Sequence, residues 1–359
     1  MVAVPWMLIG LAVVGLVVLL PVLFTVYVLI TYTRHIDRVF EHKPLFVAPQ
    51  ATPVPDAEGV EFRSRDGRSL RGSYLRSLSP TRKGVILFGH EYSANRWLCN
   101  SYIGYLRDAG YDLFTFDFCN HGESSSVPQY DSLQWVTEYE VQDVLGAVDF
   151  LQSRPDADPK GIGAFGVSKG GGSILVAAGR NPYLRAVVTD GAFPTHGTVT
   201  YYEMVWVEIY SKLPNVYRLL PRWYYAMVGE YALVKMRWRH RATYSRVERG
   251  VRRYGKRPLL MIHGGRDNYI KQEIAERLFA LASGPKELWI VKGAKHNACL
   301  EKAGDAYREK VRDFFDRYIA GETPSREPGH RGPQASVNGS TDGLGSGGKD
   351  SCEKNAAAS

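Results

Sequence analysis

Three side chains far apart in the chain have the types needed for nucleophilic acyl transfer. Ser168 lies in Gly166-Val167-Ser168-Lys169-Gly170, a G-x-S-x-G sequence between an apolar run, 162–165, and a small-residue run that continues to Ala178. Glycines on both sides of a serine suit a sharp strand-to-helix turn that lifts the hydroxyl out of a sheet and leaves no room for Cβ atoms. A serine hydroxyl is a weak nucleophile at neutral pH and needs a base within hydrogen-bond reach. His296, in the loop Lys292-Gly293-Ala294-Lys295-His296-Asn297, has the side chain that can take the proton and return it to a leaving group. Asp267, in Gly264-Gly265-Arg266-Asp267, can fix the imidazole tautomer and stabilise the imidazolium. Asp190, after the run 186–189, is a rival for the acid.

These residues need a frame that holds them at one edge. Val60–Arg63 and Leu70–Tyr74 read as an antiparallel pair joined at Asp66-Gly67. Val85–Phe88, Leu113–Asp117, 162–165, 186–189, 258–263 and 287–291 read as further strands. Trp97–Ala109, Val136–Leu151 and Ala303–Ile319 have helical spacing. Strands alternating with helices predict an α/β fold with a mostly parallel sheet and helices on both faces. An acid just past the end of a parallel strand sits where open α/β sheets keep their chemistry.

Over roughly residues 58–320 the chain resembles the α/β-hydrolase superfamily, and within it the esterase, dienelactone hydrolase and serine-aminopeptidase-like branches. The order Ser168, Asp267, His296 is that superfamily's order. Val85-Ile86-Leu87-Phe88-Gly89-His90 resembles its strand ending in a His-Gly oxyanion loop. Residues 117–124, Asp117 to Ser124, resemble its D-x-x-x-H-G-x-S turn, and residues 263–267 its H-G-x-x-D turn. The resemblance implies oxyanion donors at the backbone N–H groups of Lys169 and Tyr92. Glu91 departs from the pattern, which has glycine there; it is expected to point to solvent, as is the Lys169 side chain. Asp117 is expected to cap its turn, and His90, His121 and His263 to hold loops. Between Phe193 and Arg257 the alternation stops and aromatics crowd the chain. In the resembling fold this insertion, about 194–256, forms a helical cap, with Tyr201, Tyr202, Trp206 and Trp223 as candidates to line a substrate pocket.

Residues 2–33 contain no charged side chain, which exceeds the run of about 20 apolar residues that crosses a bilayer. No basic start and no small-residue cleavage site accompany them, so an uncleaved anchor over 1–33 and a linker over 34–57 are expected. Pro21 is a point for a kink. Arg34, Arg38 and Lys43 after the span place the following domain on the cytoplasmic side by the positive-inside rule. Residues 321–359, rich in Gly, Ser, Pro and Asn, are expected to be disordered. The net charge of +8 is concentrated in part between Lys235 and Arg257, without a nucleic-acid recognition motif, so nucleic acid is not an expected partner. Cys99, Cys119, Cys299 and Cys352 have no metal-ligand spacing, and neither a metal nor an organic cofactor is expected.

The expectation is a membrane-anchored serine hydrolase that cleaves a carboxylic ester, lipid-like or otherwise apolar, through an acyl-enzyme. Its partners are then a small ester or amide substrate and the bilayer. An aminopeptidase-like hydrolase is the alternative; it calls for acids in the cap that read a substrate amine, for which Glu203, Glu208 and Glu230 stand. A catalytically silent membrane-bound scaffold is the non-enzyme alternative.

Overall fold

Strands β3 (Gly84–Gly89), β4 (Tyr111–Phe116), β5 (Ile162–Val167), β6 (Leu184–Asp190) and β7 (Leu259–Gly264) are short apolar runs buried on both faces, apart from Arg185 in β6. That pattern belongs to the middle of a parallel sheet covered by helices. In the computed structural model, which describes residues 3–41, 51–212 and 214–322, they form an eight-stranded sheet with β1 (Glu58–Arg63), β2 (Ser69–Leu75) and β8 (Lys286–Val291). The order is β1-β2-β4-β3-β5-β6-β7-β8. β2 runs antiparallel to both β1 and β4, and every other neighbour is parallel. The β1–β2 hairpin turns at Gly67, whose φ of 92° suits glycine.

Among the described residues the helices are α1 (Ala3–Val14), α2 (Leu20–Glu41), α3 (Leu98–Ile103), α4 (Glu138–Ser153), α5 (Lys169–Ala178), α6 (Thr195–Ser211), α7 (Arg222–His240), α8 (Val247–Tyr254), α9 (Gln272–Ala280), α10 (Cys299–Ala303) and α11 (Asp305–Phe315). Two apolar clusters fill the two faces of the sheet, one including residues of α4, α5 and α8, the other of α3 and α11. Two expected helices are irregular. The one after β3 tightens into a 3₁₀ turn at Gly104–Leu106, and the closing one, expected over Ala303–Ile319, begins after Gly304, where φ is 53°, and turns π-helical over Asp316–Ala320. The expected cap is helical, but its last helix, α8, is the crossover between β6 and β7. Gly250 brings α8 against the α5 backbone, where an added Cβ would stand 2.7 Å from the Val176 Cα.

The N-terminal helix Trp6–Arg38 contains an exposed 18-residue stretch of mean hydropathy 2.9 and is long and apolar enough to be a membrane anchor or a signal sequence. A π-helical turn, Gly15–Leu19, precedes Pro21, whose ring crowds the preceding turn of an α-helix. The expected linker does not begin at residue 34. Helix α2 continues to Glu41 because Ile36 and Phe40, four apart and thus on one face, bury against the cap and its neighbours. Phe40 stacks on Trp135 at 4.7 Å, and the Trp135 indole N–H donates to the Phe40 carbonyl at 2.8 Å. Lys235 of α7 pairs with Asp37, and Arg239 with Glu41. Lys43 and the expected disordered tail beyond residue 322 lie outside the described residues.

Candidate active site

The turn from β5 into α5 holds Ser168 at φ 48°, ψ −115°, a region that non-glycine residues rarely occupy. The sequence permits this because the residues two before and two after it, Gly166 and Gly170, carry no side chains. A Cβ on Gly166 would stand 2.5 Å from the Gly171 Cα, and one on Gly170 would overlap the carbonyl oxygens of Gly89 and His90. The Ser168 N–H donates to the Asp190 carbonyl at 2.7 Å, which locks the turn to β6. The strain therefore sits at one residue, as at many functional sites.

The loop after β8 brings His296 to this turn. Its Nε2 lies 3.1 Å from Ser168 Oγ, and its Nδ1 lies 2.6 Å from Asp267 Oδ2. Asp267 follows β7, and its Oδ1 accepts the N–H groups of Tyr269 and Ile270, both at 2.8 Å. Burial alone would push its carboxyl up, but the hydrogen bond and charge of His296, with the Ile270 N–H, outweigh it and hold the group below its ordinary value. An arrangement of this kind can draw a proton from the serine, hold it on the imidazole and pass it to a leaving group.

Asp190, the rival acid, lies at the end of β6 and is fully buried. Its Oδ2 accepts the Tyr307 hydroxyl at 2.9 Å, and burial pushes its carboxyl up to about 6. The acid hydrogen-bonded to His296 is Asp267.

Two side chains expected at the surface are buried. Glu91 is 4% exposed and accepts from the Asn297 side chain; burial pushes its carboxyl up to about 7, although His296 draws it down. It turns inward because Asn297, next to His296, supplies a donor there. The Lys169 ammonium donates to Ser132 Oγ at 2.8 Å and pairs with Glu140 at 2.7 Å. Glu140 projects from the first turn of α4, a partner far upstream that spacing does not reveal. The backbone N–H of Lys169 heads α5, where helix donors have no intrahelical partner. Tyr92 lies in the turn after β3, and its ring is 5.9 Å from the Lys169 ammonium.

The remaining motif residues hold loops. The His90 Nε2 accepts the Phe118 N–H at 3.1 Å, which leaves Nδ1–H to donate to the Glu91 carbonyl. His121 Nδ1 meets the Cys119 carbonyl and His263 Nε2 the Ile270 carbonyl. Asp117 accepts the backbone N–H groups of Arg96 and Glu123. Of the expected pocket residues, Tyr202 is beside the site: its hydroxyl donates to the Tyr269 carbonyl, and the Tyr269 ring lies 6.0 Å from that of His296. Trp206 lines a cavity against α2, and Tyr201 a surface recess near Arg222 and Arg277. Trp223 is 66% exposed, on the outward face of α7 where Tyr224 and Tyr225 turn in. Phe193 and Tyr269, which flank His296, were not singled out in the sequence. Their one signal is position, each two or three residues after a strand-end aspartate. Among the described residues no cluster of His, Cys, Asp or Glu is arranged to hold a metal ion.

The sequence pattern of the prolyl oligopeptidase family matches residues 134–322, more than half of the chain and the part that carries all three of Ser168, Asp267 and His296. The chain belongs to the prolyl oligopeptidase family. The curated relatives it matches include the uncharacterized protein YfhR of Escherichia coli (strain K12), 26% identical over 265 residues, covering 72% of this chain and 80% of that one. Among solved structures, the Pyrococcus furiosus esterase Pf2001 is 21% identical with a TM-score of 0.55, covering 77% of this chain and 100% of the other. The α/β hydrolase GrgF from Penicillium sp. sh18 is 18% identical with a TM-score of 0.57, covering 74% and 100%. The chain is thus an α/β hydrolase by fold and family.

Proposed function

We propose that this chain is a membrane-anchored serine hydrolase that cleaves a carboxylic ester of an apolar, lipid-like substrate. The observation that carries the proposal is the continuous contact from Ser168 Oγ through His296 to Asp267, at 3.1 and 2.6 Å, on a strained turn. Ser168 Oγ attacks the ester carbonyl as His296 takes its proton, and Asp267 holds the ring and its charge. The tetrahedral oxyanion takes hydrogen bonds from the backbone N–H groups of Lys169 and Tyr92, each worth roughly 3–4 kcal/mol to the transition state. Collapse breaks the C–O bond, and His296 gives its proton to the departing alcohol. Water, deprotonated by the same histidine, then releases the acid and restores Ser168.

The family name raises the peptidase reading, but two of the acids that would read an amine are paired elsewhere and the third lies in a separate cavity. Glu230 pairs with His196 and Arg246, and Glu208 accepts the Asn215 N–H. Glu203 faces the cavity against α2. The α2–cap contacts, by contrast, seat the domain directly on its apolar helix, which favours a substrate taken from a bilayer. Arg34 and Arg38, following the apolar span, favour a cytoplasmic domain by the positive-inside rule; labelling of an engineered surface cysteine by an impermeant reagent in intact cells would overturn that orientation.

The test is a panel of p-nitrophenyl esters and amino-acid amides together with a fluorophosphonate probe, on wild type and Ser168→Ala. Esters are turned over and the probe labels wild type alone. Equal labelling of Ser168→Ala, or turnover of amides only, sinks the ester reading.

A further inference from the structure

Helix α2 and the cap line an open cavity of about 280 Å³, near the lower end of the range for small-molecule sites. One wall is α2, through Phe24, Tyr27 and Val28, which lie within the apolar span; the other is α6 and α7, through Trp206 and Tyr224. The lining is mostly apolar and aromatic. Glu203 projects into it from α6. That side chain is 4% exposed, and neither carboxyl oxygen has a hydrogen-bond partner. A buried polar group without a partner is a net cost to the fold, so its retention calls for an explanation, and a ligand is one.

The chemistry of the ligand follows from the wall and the acid. Burial alone pushes the Glu203 carboxyl up to about 9, so at neutral pH it is an acid with an O–H to donate. An ammonium ligand would need this acid ionised and two charges taken out of water together, and the desolvation of such a pair can exceed its attraction. A carbonyl or hydroxyl oxygen needs neither. The source follows from position: the α2 wall belongs to the segment apolar enough to sit in lipid. Around it the cap exposes Ile209, Tyr210, Leu219 and Trp223, an apolar rim of the kind that enters a membrane interface.

We propose that this cavity seats the acyl chain of an uncharged bilayer lipid, with the Glu203 carboxylic acid donating a hydrogen bond to the lipid's carbonyl or hydroxyl oxygen. The site stands apart from the Ser168 cluster. It is linked to it by a run of contacts: Trp206 stacks on Tyr202 at 6.1 Å, Tyr202 bonds to Tyr269, and Tyr269 packs on His296.

The test is photolabelling of the full chain, carrying Ser168→Ala, in phosphatidylcholine vesicles that contain a diazirine-tagged monoacylglycerol, with the labelled peptides mapped by mass spectrometry. The readout is binding, so a chain that proves inactive can still pass or fail it. Label is expected on the peptides around Trp206 and Tyr224. Glu203→Leu is expected to cut it about tenfold, the loss of one good hydrogen bond, whereas Glu203→Gln, which keeps a donor, stays within about threefold. Val228→Trp, which fills the cavity and leaves Glu203 in place, gives the same loss as Glu203→Leu. Unchanged labelling in either folded variant overturns the proposal. So does label confined to the lipid-facing side of α2, or stronger labelling by a diazirine-tagged long-chain amine.

Discussion

Replacing Lys169 with methionine keeps the stem of the side chain and deletes its charge. The consequence falls on Glu140, which is fully buried and whose ionised form depends on that ammonium. Burial pushes the Glu140 carboxyl up; the charge and hydrogen bond of Lys169, ahead of those from Thr137 and Tyr130, bring it below its ordinary value. Removing one partner of a buried pair costs about 3–5 kcal/mol, because the other charge is left uncompensated. Glu140 retains the Tyr130 hydroxyl at 2.6 Å and the Thr137 N–H at 2.9 Å, which places Lys169→Met at about 3 kcal/mol, the low end of that range. Glu140→Gln keeps one oxygen, enough for the Thr137 N–H, turns the other position into a donor to the Tyr130 hydroxyl, and strands the ammonium with Ser132 as its remaining neighbour, at a similar cost. In the double variant neither charge remains, so the two losses fall short of adding by about 2 kcal/mol. Urea unfolding of the detergent-solubilised chain, followed by tryptophan fluorescence, measures all three. A coupling below about 0.5 kcal/mol, the scatter of independent sites, would mean that the pair is not what holds Lys169 inside, and the reasoning fails.

Two further predictions concern the acids around His296. Asp267→Asn should lower kcat/KM on a p-nitrophenyl ester by about 10⁴-fold through loss of the correct imidazole tautomer, while Asp190→Asn costs under about tenfold; the reverse ranking would transfer the acid's role to Asp190. Glu91 has a carboxyl raised in the folded state, so its contribution to stability is greatest below its unfolded value and is lost as pH rises toward about 7. From pH 4.5 to 7 that loss is roughly 3 kcal/mol, and Glu91→Gln should remove it. Chemical denaturation of both proteins at several pH values checks this, and parallel stability curves would refute it.

How much of this was legible in the sequence depended on whether the determinants were local. The serine turn announces itself because its glycines flank the serine within five residues, and Gly166 is forced by the backbone of Gly170 and Gly171. The strands are legible because burial on both faces writes an uninterrupted apolar run, as in 85–88 and 259–262. The acid turn is legible because Asp267 accepts from amides two and three residues on, a local turn habit of aspartate. What escaped was decided by distant partners. Lys169 and Glu91 read as surface residues because charged side chains usually are, and their partners, Glu140 and Asn297, come from other elements. Trp223 read like its neighbours Tyr224 and Tyr225, since a cluster of aromatics does not say which face of a helix each occupies. The helix ran past residue 34 because Ile36 and Phe40 find the cap, although their spacing of four was already a helical signal.

The carboxyls near His296 also explain why one of them suits the role of its partner. Asp267, Asp190 and Glu91 are all buried, yet burial does not act on them equally. Asp267 has two backbone N–H groups on one oxygen and the imidazole on the other, so the charged form is stabilised where it is needed. Asp190 has the Tyr307 hydroxyl and the weak Cys299 thiol as donors, too little to offset burial, which carries it to about 6. Glu91 has a single amide donor from Asn297 and reaches about 7. Donors, rather than proximity, therefore set the order of ionisation. Asp267 is thus held below the ordinary carboxylate value beside the ring, while burial raises the other two. Like charges crowded in one site drive their titrations apart, and here the separation leaves the lowest carboxyl on the one residue that can orient the base.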